Sequence, residues 1–220
     1  MQSIKRVFIN TDWITLLLLL AVFLLVLLSI IDKKRFRDLF ALPYNNFYII
    51  QYKQEFFSAF NIIIFSTANL IVSLFLYLFF VEFIPLITET TPYLYLTILG
   101  VLLLYWVIRY GLEQLISFLF EQEELKNKAI FIKMNYFYSA TLYVLIGTTF
   151  IFYTREFRFY FLYLSLGIFI VLLLIRYYHF IRIYKTYIFP HFFYFILYLC
   201  ALEIAPLFVV AKIGVKLIGQ

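Results

Sequence analysis

Long apolar runs separated by short polar segments follow one another along the chain. Six of these runs are long enough for a membrane-spanning helix, which needs about 20 mainly apolar residues to cross the hydrocarbon core. The predicted spans are 13–31, 58–83, 93–108, 134–153, 159–175 and 189–213. The pattern therefore predicts an all-α, polytopic transmembrane helix bundle that forms a single domain over residues 1–220.

Two of the polar segments carry patterns of their own. Residues 32–57 hold a basic cluster followed by Phe and Tyr, which indicates a short amphipathic segment on the membrane surface. Beyond Arg109, apolar residues recur at helical spacing, at Leu112, Leu115, Ile116 and Leu119. This stretch is either an extension of the third helix or a surface helix. Arg109 and Glu113 are four residues apart in it and can pair.

The composition restricts the class of protein. The chain is 65% hydrophobic and 14% charged, with a mean hydropathy of +0.98. Soluble domains are about 45–50% apolar and about 25% charged, so lipid must be the solvent for much of this surface. The net charge is +6. Because the basic residues cluster at the ends of apolar runs, they are typical of membrane topology signals and do not indicate nucleic-acid binding.

The distribution of Lys and Arg predicts the orientation. The connections 32–57, 109–133 and 176–188 carry 12 Lys and Arg, whereas the remaining tails and loops carry 6. Positive residues stay on the cytoplasmic side. We therefore expect both termini of a six-span protein to lie in the periplasm, across a bacterial inner membrane.

One carboxylate, Glu203, lies near the middle of the last span, three residues before Pro206. A charge at this depth costs about 2.5–3.5 kcal/mol on insertion scales, so it faces a partner or a cavity. Pro206 removes a helix hydrogen bond from the carbonyl of Leu202. The pair predicts either a proton or cation site or a hydrogen bond that fixes helix packing.

The second span has an unusually polar side. Ser66, Asn69 and Ser73 fall on one helical face and are expected to turn toward other helices. Asn69 lies near the middle of the span, which makes it a candidate neighbour of Glu203.

Five basic residues are candidates for the membrane interface. Arg109 and Arg176 close two spans, and Lys33, Lys34 and Arg35 follow the first span. They are either anchors that snorkel to the interface or ligands of an anionic lipid phosphate. Leu-Gly and Ile-Arg-Tyr recur around Arg109 and Arg176, which indicates a duplicated hairpin or the ordinary residue preferences of the interface.

Known catalytic motifs do not occur in the sequence. We find no glycine-rich phosphate loop, no nucleophile elbow and no clustered Cys and His. We therefore predict no catalytic residue, no metal ligand and no cofactor, and an enzyme is the least supported class. Cys200, the single cysteine, is interpreted as a small buried side chain.

The segment from Leu197 to Pro206, with the pattern Tyr-Leu-Cys-x-x-Glu-Ile-x-Pro, resembles the signature of an uncharacterised Bacteroidota membrane family. That family is known as domain of unknown function four-two-seven-one. The chain length, the apolar and aromatic composition and Trp13 ahead of the first span are also similar. The resemblance implies a bacterial inner membrane and implies no activity.

Two functions are compatible with these features. The first is an accessory or scaffold subunit of a membrane or envelope-spanning complex, because Ala201 and Ala205 let another helix approach closely. It implies protein partner subunits. The alternative is a small transporter or lipid flippase that uses Glu203 as its proton or cation site.

Overall fold

The described part of the chain is entirely helical, as the apolar pattern predicts. The computed structural model describes residues 12–44, 47–52, 58–83, 92–120, 123–154 and 156–188. Its helices are α1 (Asp12–Ile31), α2 (Lys33–Phe40), α3 (Phe47–Gln51), α4 (Ala59–Phe83), α5 (Pro92–Phe120), α6 (Glu123–Tyr153) and α7 (Arg158–Ile188). The predicted sixth span, 189–213, lies outside the described residues.

Five of these helices are long and apolar enough to cross a membrane, at Asp12–Ile31, Ala59–Glu82, Pro92–Gln114, Ile130–Tyr153 and Arg158–Tyr178. Helices α1, α4, α5 and α7 begin within one residue of the predicted starts. Pro92 is the first residue of α5, where its missing N–H removes no helical hydrogen bond. The prediction of a multi-pass helical membrane protein is confirmed.

Helices α5, α6 and α7 are longer than the apolar runs that predict them. Helix α5 continues past Arg109 to Phe120, which confirms the extension and excludes a separate surface helix there. Helix α6 begins at Glu123, well before the predicted start at residue 134. Its first turns contain Glu, Leu, Lys and Ala, which are strong helix formers. Hydropathy locates the apolar layer but does not locate the end of a helix that continues into polar surroundings.

Helix α2 is the amphipathic segment that the basic cluster predicts. The side chain of Asp32 caps it by accepting a hydrogen bond from the backbone N–H of Arg35 at 2.9 Å. Leu39 is fully buried on one face of the helix. Lys33 and Lys34 are exposed. The helix therefore rests on the bundle through the face that carries Arg35 and Leu39.

Helices α4 and α6 form the centre of the described bundle. In each of them, 61% of the most apolar stretch is buried, against 22% for α1, 22% for α5 and 17% for α7. Helix α4 packs against α1, α5 and α6, and α6 also packs against α7. The exposed faces of the outer helices are rich in Leu, Ile, Val and Phe, which suits contact with a lipid bilayer.

The core has two parts, one at each end of the bundle. The end where α1, α5 and α7 finish and α4 and α6 begin is called the basic end, and its core includes Leu28, Tyr48, Phe60, Phe131 and Tyr136. At the other end, called the distal end, the core includes Ile14, Leu78, Tyr95, Ile151 and Leu162. Charged residues that enter the core concentrate at the basic end, which therefore contains the candidate site.

Helices α6 and α7 are in close contact at Gly147. A Cβ atom added to Gly147 would lie 2.6 Å from the Cβ of Ser165, which is closer than two such atoms can approach. Small residues allow helix backbones to come together in a membrane, where packing is a main source of association. Gly147 and Ser165 therefore set the spacing of the most extensively packed helix pair.

We expect Gly147→Ala to destabilise the protein by about 1–3 kcal/mol, because the new methyl group overfills this contact. The measurement is thermal unfolding of the protein purified in mild detergent. Gly167→Ala on α7 is the matched control, since a Cβ at Gly167 meets nothing within 4 Å. Equal unfolding temperatures for Gly147→Ala and Gly167→Ala would contradict the assignment of this contact.

Candidate functional site

Arg35 makes several hydrogen bonds at the basic end. Its side chain is buried, with 2% of the residue exposed. Nε donates to the hydroxyl of Tyr48 at 3.2 Å, Nη1 to Oγ of Ser58 at 3.1 Å, and Nη2 to Oδ1 of Asn61 at 3.1 Å. One guanidinium thus joins the surface helices α2 and α3 to the start of α4.

Aromatic rings complete the environment of this guanidinium. Its carbon atom lies 5.0 Å from the ring centre of Tyr52 and 4.6 Å from that of Phe60. Both distances are typical of cation–π contacts. Burial raises the pKa of the Tyr48 phenol above its ordinary value of 10.0, so Tyr48 accepts the hydrogen bond from Arg35 as a neutral hydroxyl.

A second polar contact joins α4 to α5. Nε1 of Trp106 donates to Oδ1 of Asn69 at 2.8 Å, and Nδ2 of Asn69 donates to the carbonyl of Phe65 at 2.8 Å. Asn69 is 2% exposed. Its amide is therefore used to hold the indole of Trp106 against α4.

Arg109 lies one turn from Trp106 on α5 and is buried, with 7% exposed. Its Nη1 donates to the hydroxyl of Tyr105 at 3.0 Å, and its Nε lies 3.4 Å from Oε1 of Glu113. The predicted pairing of Arg109 with Glu113 is confirmed. The guanidinium carbon also lies 5.5 Å from the ring centre of Trp106.

Helix α6 contributes two more buried polar residues, Lys133 and Asn135, which are 5% and 2% exposed. Nδ2 of Asn135 donates to the carbonyl of Phe131 at 2.7 Å. Oδ1 of Asn135 is buried and has no hydrogen-bond partner among the described residues. An unsatisfied buried acceptor costs about 1–3 kcal/mol, so its presence requires an explanation.

A cavity of about 500 Å³ lies where α4, α5 and α6 meet at the basic end. Among the described residues, its charged and amide groups come from Arg109, Lys133, Glu113, Asn61 and Asn135. The other described lining residues are mainly apolar or aromatic, namely Ile62, Phe65, Trp106, Val107, Tyr110, Ile130, Phe131, Met134 and Tyr138. The described lining therefore combines apolar walls with buried cations, and the cavity is the candidate functional site.

Comparison with known protein families identifies the chain. The profile described as "Domain of unknown function (DUF4271)" matches residues 14–213. The chain belongs to this family. The match covers most of the 220 residues and confirms the family that the C-terminal signature predicts. No curated protein and no solved structure matches the chain.

The predicted site residues that the structure describes lie at different places in the basic end. Arg109 lines the cavity, and Asn69 supports it through Trp106. Arg35 contacts Asn61 of the cavity lining, whereas Lys33 and Lys34 are exposed on α2. Arg176 is 7% exposed, with its guanidinium 4.8 Å from the ring centre of Tyr177. Glu203 and Pro206 lie outside the described residues, so their roles stay predictions.

The polar face predicted for the second span is only partly internal. Asn69 and Ser73 are buried, as expected, with 2% and 0% exposed. Ser66 is exposed, and its hydroxyl donates to the carbonyl of Ile62 at 3.0 Å. The prediction for Ser66 was wrong because a serine can satisfy its hydroxyl on its own helix and then needs no second helix.

Sequence reasoning did not identify Lys133 and Asn135 as site residues. They fall at the start of the fourth apolar run, where polar residues usually mark the membrane interface. The available signal is their position between Ile130 and Phe137 in an otherwise apolar stretch. That signal does not reveal that Lys133 and Asn135 line the same cavity as Arg109 of α5.

We expect Arg35→Met to lower the free energy of unfolding by at least about 2 kcal/mol, because it removes three charge-assisted hydrogen bonds. The measurement is thermal or denaturant unfolding in mild detergent. Arg37→Met is the matched control, since Arg37 is an exposed arginine of the same helix. Equal stability of the two variants would show that the Arg35 contacts do not hold α2 and α3 to the bundle.

Proposed function

We propose that this protein is a small membrane transporter or lipid flippase that binds an anionic amphiphile in the α4–α5–α6 cavity. The observation that carries the proposal is the presence of Arg109 and Lys133, both buried, in a cavity with mainly apolar walls. Ionisable residues within membrane helices are rare and usually mark substrate pathways. Basic pockets between such helices bind lipid headgroups.

The charge of the lining supports an anionic ligand. Arg109 and Lys133 contribute two positive charges, and Glu113 offsets one of them. Asn61 adds a polar contact whose amide oxygen already accepts from the cation of Arg35. A volume of about 500 Å³ lies within the usual range for small-ligand sites and suffices for a headgroup and its glycerol linkage.

The position of the cavity supports a ligand that enters from the membrane. Ile62 and Val107 are cavity-lining residues on α4 and α5, and their side chains are 63% and 72% exposed on the outer surface of the described bundle. The polar groups of the lining lie deeper, at 5–7% exposed for the two cations and Glu113. A headgroup can therefore reach the cations while its acyl chains stay among apolar side chains.

The predicted orientation adds a location to this proposal. The basic end holds the connections rich in Lys and Arg, so we place it on the cytoplasmic side of a bacterial inner membrane, with both termini in the periplasm. The cavity then serves the cytoplasmic leaflet. Glu203 and Pro206 complete the proposal as the proton or cation site that would couple movement of the ligand to an ion gradient.

An accessory or scaffold subunit is the second candidate. The observation that favours it is the shallow burial of α5 and α7, whose outer faces are apolar and large enough for partner helices. Asn69 and Ser73 are buried inside the described bundle. They therefore give no reason to expect a partner helix on α4. Isolation of a stoichiometric protein partner in mild detergent would favour this candidate.

We expect purified protein in liposomes to accelerate movement of a fluorescent anionic phospholipid between leaflets, and Arg109→Gln to reduce this rate at least about tenfold because it removes one headgroup cation. Dithionite quenching of the outer-leaflet label measures the rate. Arg37→Gln, on the exposed face of α2, is the control.

Protein-free and wild-type vesicles with equal rates would contradict the proposed function. Size-exclusion profiles verify that Arg109→Gln remains folded. If Glu203→Gln leaves the rate unchanged under a proton or sodium gradient, the coupling role of Glu203 fails while the cavity assignment stands.

A further inference from the structure

We infer that the ligand of the cavity is an anionic phospholipid whose headgroup carries a hydroxyl donor, as the glycerol headgroup of phosphatidylglycerol does. The inference rests on the proposed function only for the location of the site. It concerns binding and does not require that the protein moves lipid. Three independent features of the lining carry it.

The first feature is the presence of two buried cations in the lining. Among the described lining residues, Arg109 and Lys133 carry positive charge and Glu113 is the carboxylate. The negative charge of a phosphodiester suits such a group of side chains. Guanidinium and ammonium groups both bind phosphate, and arginine offers a fork of donors for its oxygens.

The second feature is the amide of Asn135. Its Nδ2 atom is fixed by donation to the carbonyl of Phe131 at 2.7 Å, which also fixes the direction of the amide oxygen. That oxygen is buried without a hydrogen-bond partner among the described residues, and Asn135 lines the cavity. An acceptor in this position selects a ligand with an O–H or N–H group.

The third feature is the apolar wall beside these polar groups. Ile62 and Val107 line the cavity and are also exposed on the outer surface of the described bundle. Phe65 and Met134 are further apolar residues of the lining. A ligand with acyl chains covers such a wall, whereas a soluble phosphate ester leaves it against water.

A zwitterionic headgroup fits these features less well. Phosphatidylethanolamine has a donor for Asn135, but its ammonium group is repelled by the cations of Arg109 and Lys133. Phosphatidylcholine has neither the net charge nor a hydrogen-bond donor. Phosphatidylethanol is anionic but has an ethyl group where phosphatidylglycerol has hydroxyls. These lipids therefore separate the charge requirement from the donor requirement.

The experiment is native mass spectrometry of the wild-type protein in detergent, titrated with each of these lipids with identical acyl chains. We expect phosphatidylglycerol to bind at least about tenfold more tightly than phosphatidylethanol and than either zwitterionic lipid. We also expect sn-glycerol 3-phosphate at equal concentration not to displace it, because that compound has no acyl chains.

Two variants assign the preferences to residues. Asn135→Leu should remove the preference for phosphatidylglycerol over phosphatidylethanol and keep the preference for anionic lipids. Lys133→Gln should remove the preference for anionic lipids and keep the preference for phosphatidylglycerol over phosphatidylethanol. Thr148→Val, a buried α6 substitution outside the cavity lining, should change neither preference.

Equal binding of phosphatidylglycerol and phosphatidylethanol to the wild type would overturn the donor requirement, and equal binding of the zwitterionic lipids would overturn the charge requirement. Displacement by sn-glycerol 3-phosphate would show that the ligand is a soluble ester. Selective binding without lipid movement in liposomes would refute the proposed function alone. Lipid movement without headgroup selectivity would refute this inference alone.

Discussion

A polar group inside a membrane has no water to bind, so its partners must come from the protein or from a ligand. This constraint organises the basic end of the bundle. Arg35 is satisfied by Tyr48, Ser58 and Asn61, and its bonds hold the surface helices to α4. Asn69 is satisfied by Trp106, which holds α5 to α4. These polar contacts thus hold α2, α3 and α5 to α4, beside the cavity.

The distal end is organised differently. Trp13 packs edge-to-face against Tyr77 with ring centres 5.1 Å apart, and Arg158 pairs with Glu82 at 2.8 Å. The distal core includes the buried hydroxyls of Tyr77 and Tyr95, but none of the described charged residues is buried in it. The difference between the two ends explains why a cavity with several buried charges at the basic end is a better candidate site than the distal core.

Much of the fold could be predicted from the sequence, because hydropathy reports which side chains need an apolar solvent. The charge pairing of Arg109 with Glu113 could also be predicted, since it depends only on spacing along one helix. The presence of Arg109, Lys133 and Asn135 in the lining of one cavity could not, because it depends on how α5 and α6 are rotated against each other. The exposed position of Ser66 was missed for a different reason, because its hydroxyl bonds to the carbonyl of Ile62 on its own helix.

If phospholipid occupies the cavity beside Trp106, a quencher carried on its acyl chains must come close to that residue and reduce its fluorescence. The chain has 2 tryptophans, so Trp13→Phe leaves Trp106 as the only one. Addition of phosphatidylglycerol brominated on its acyl chains to the protein in detergent should quench Trp106 saturably at low mole fraction, and Lys133→Gln should weaken this effect. Quenching that rises linearly with lipid and is unchanged by Lys133→Gln would show bulk contact and contradict the account.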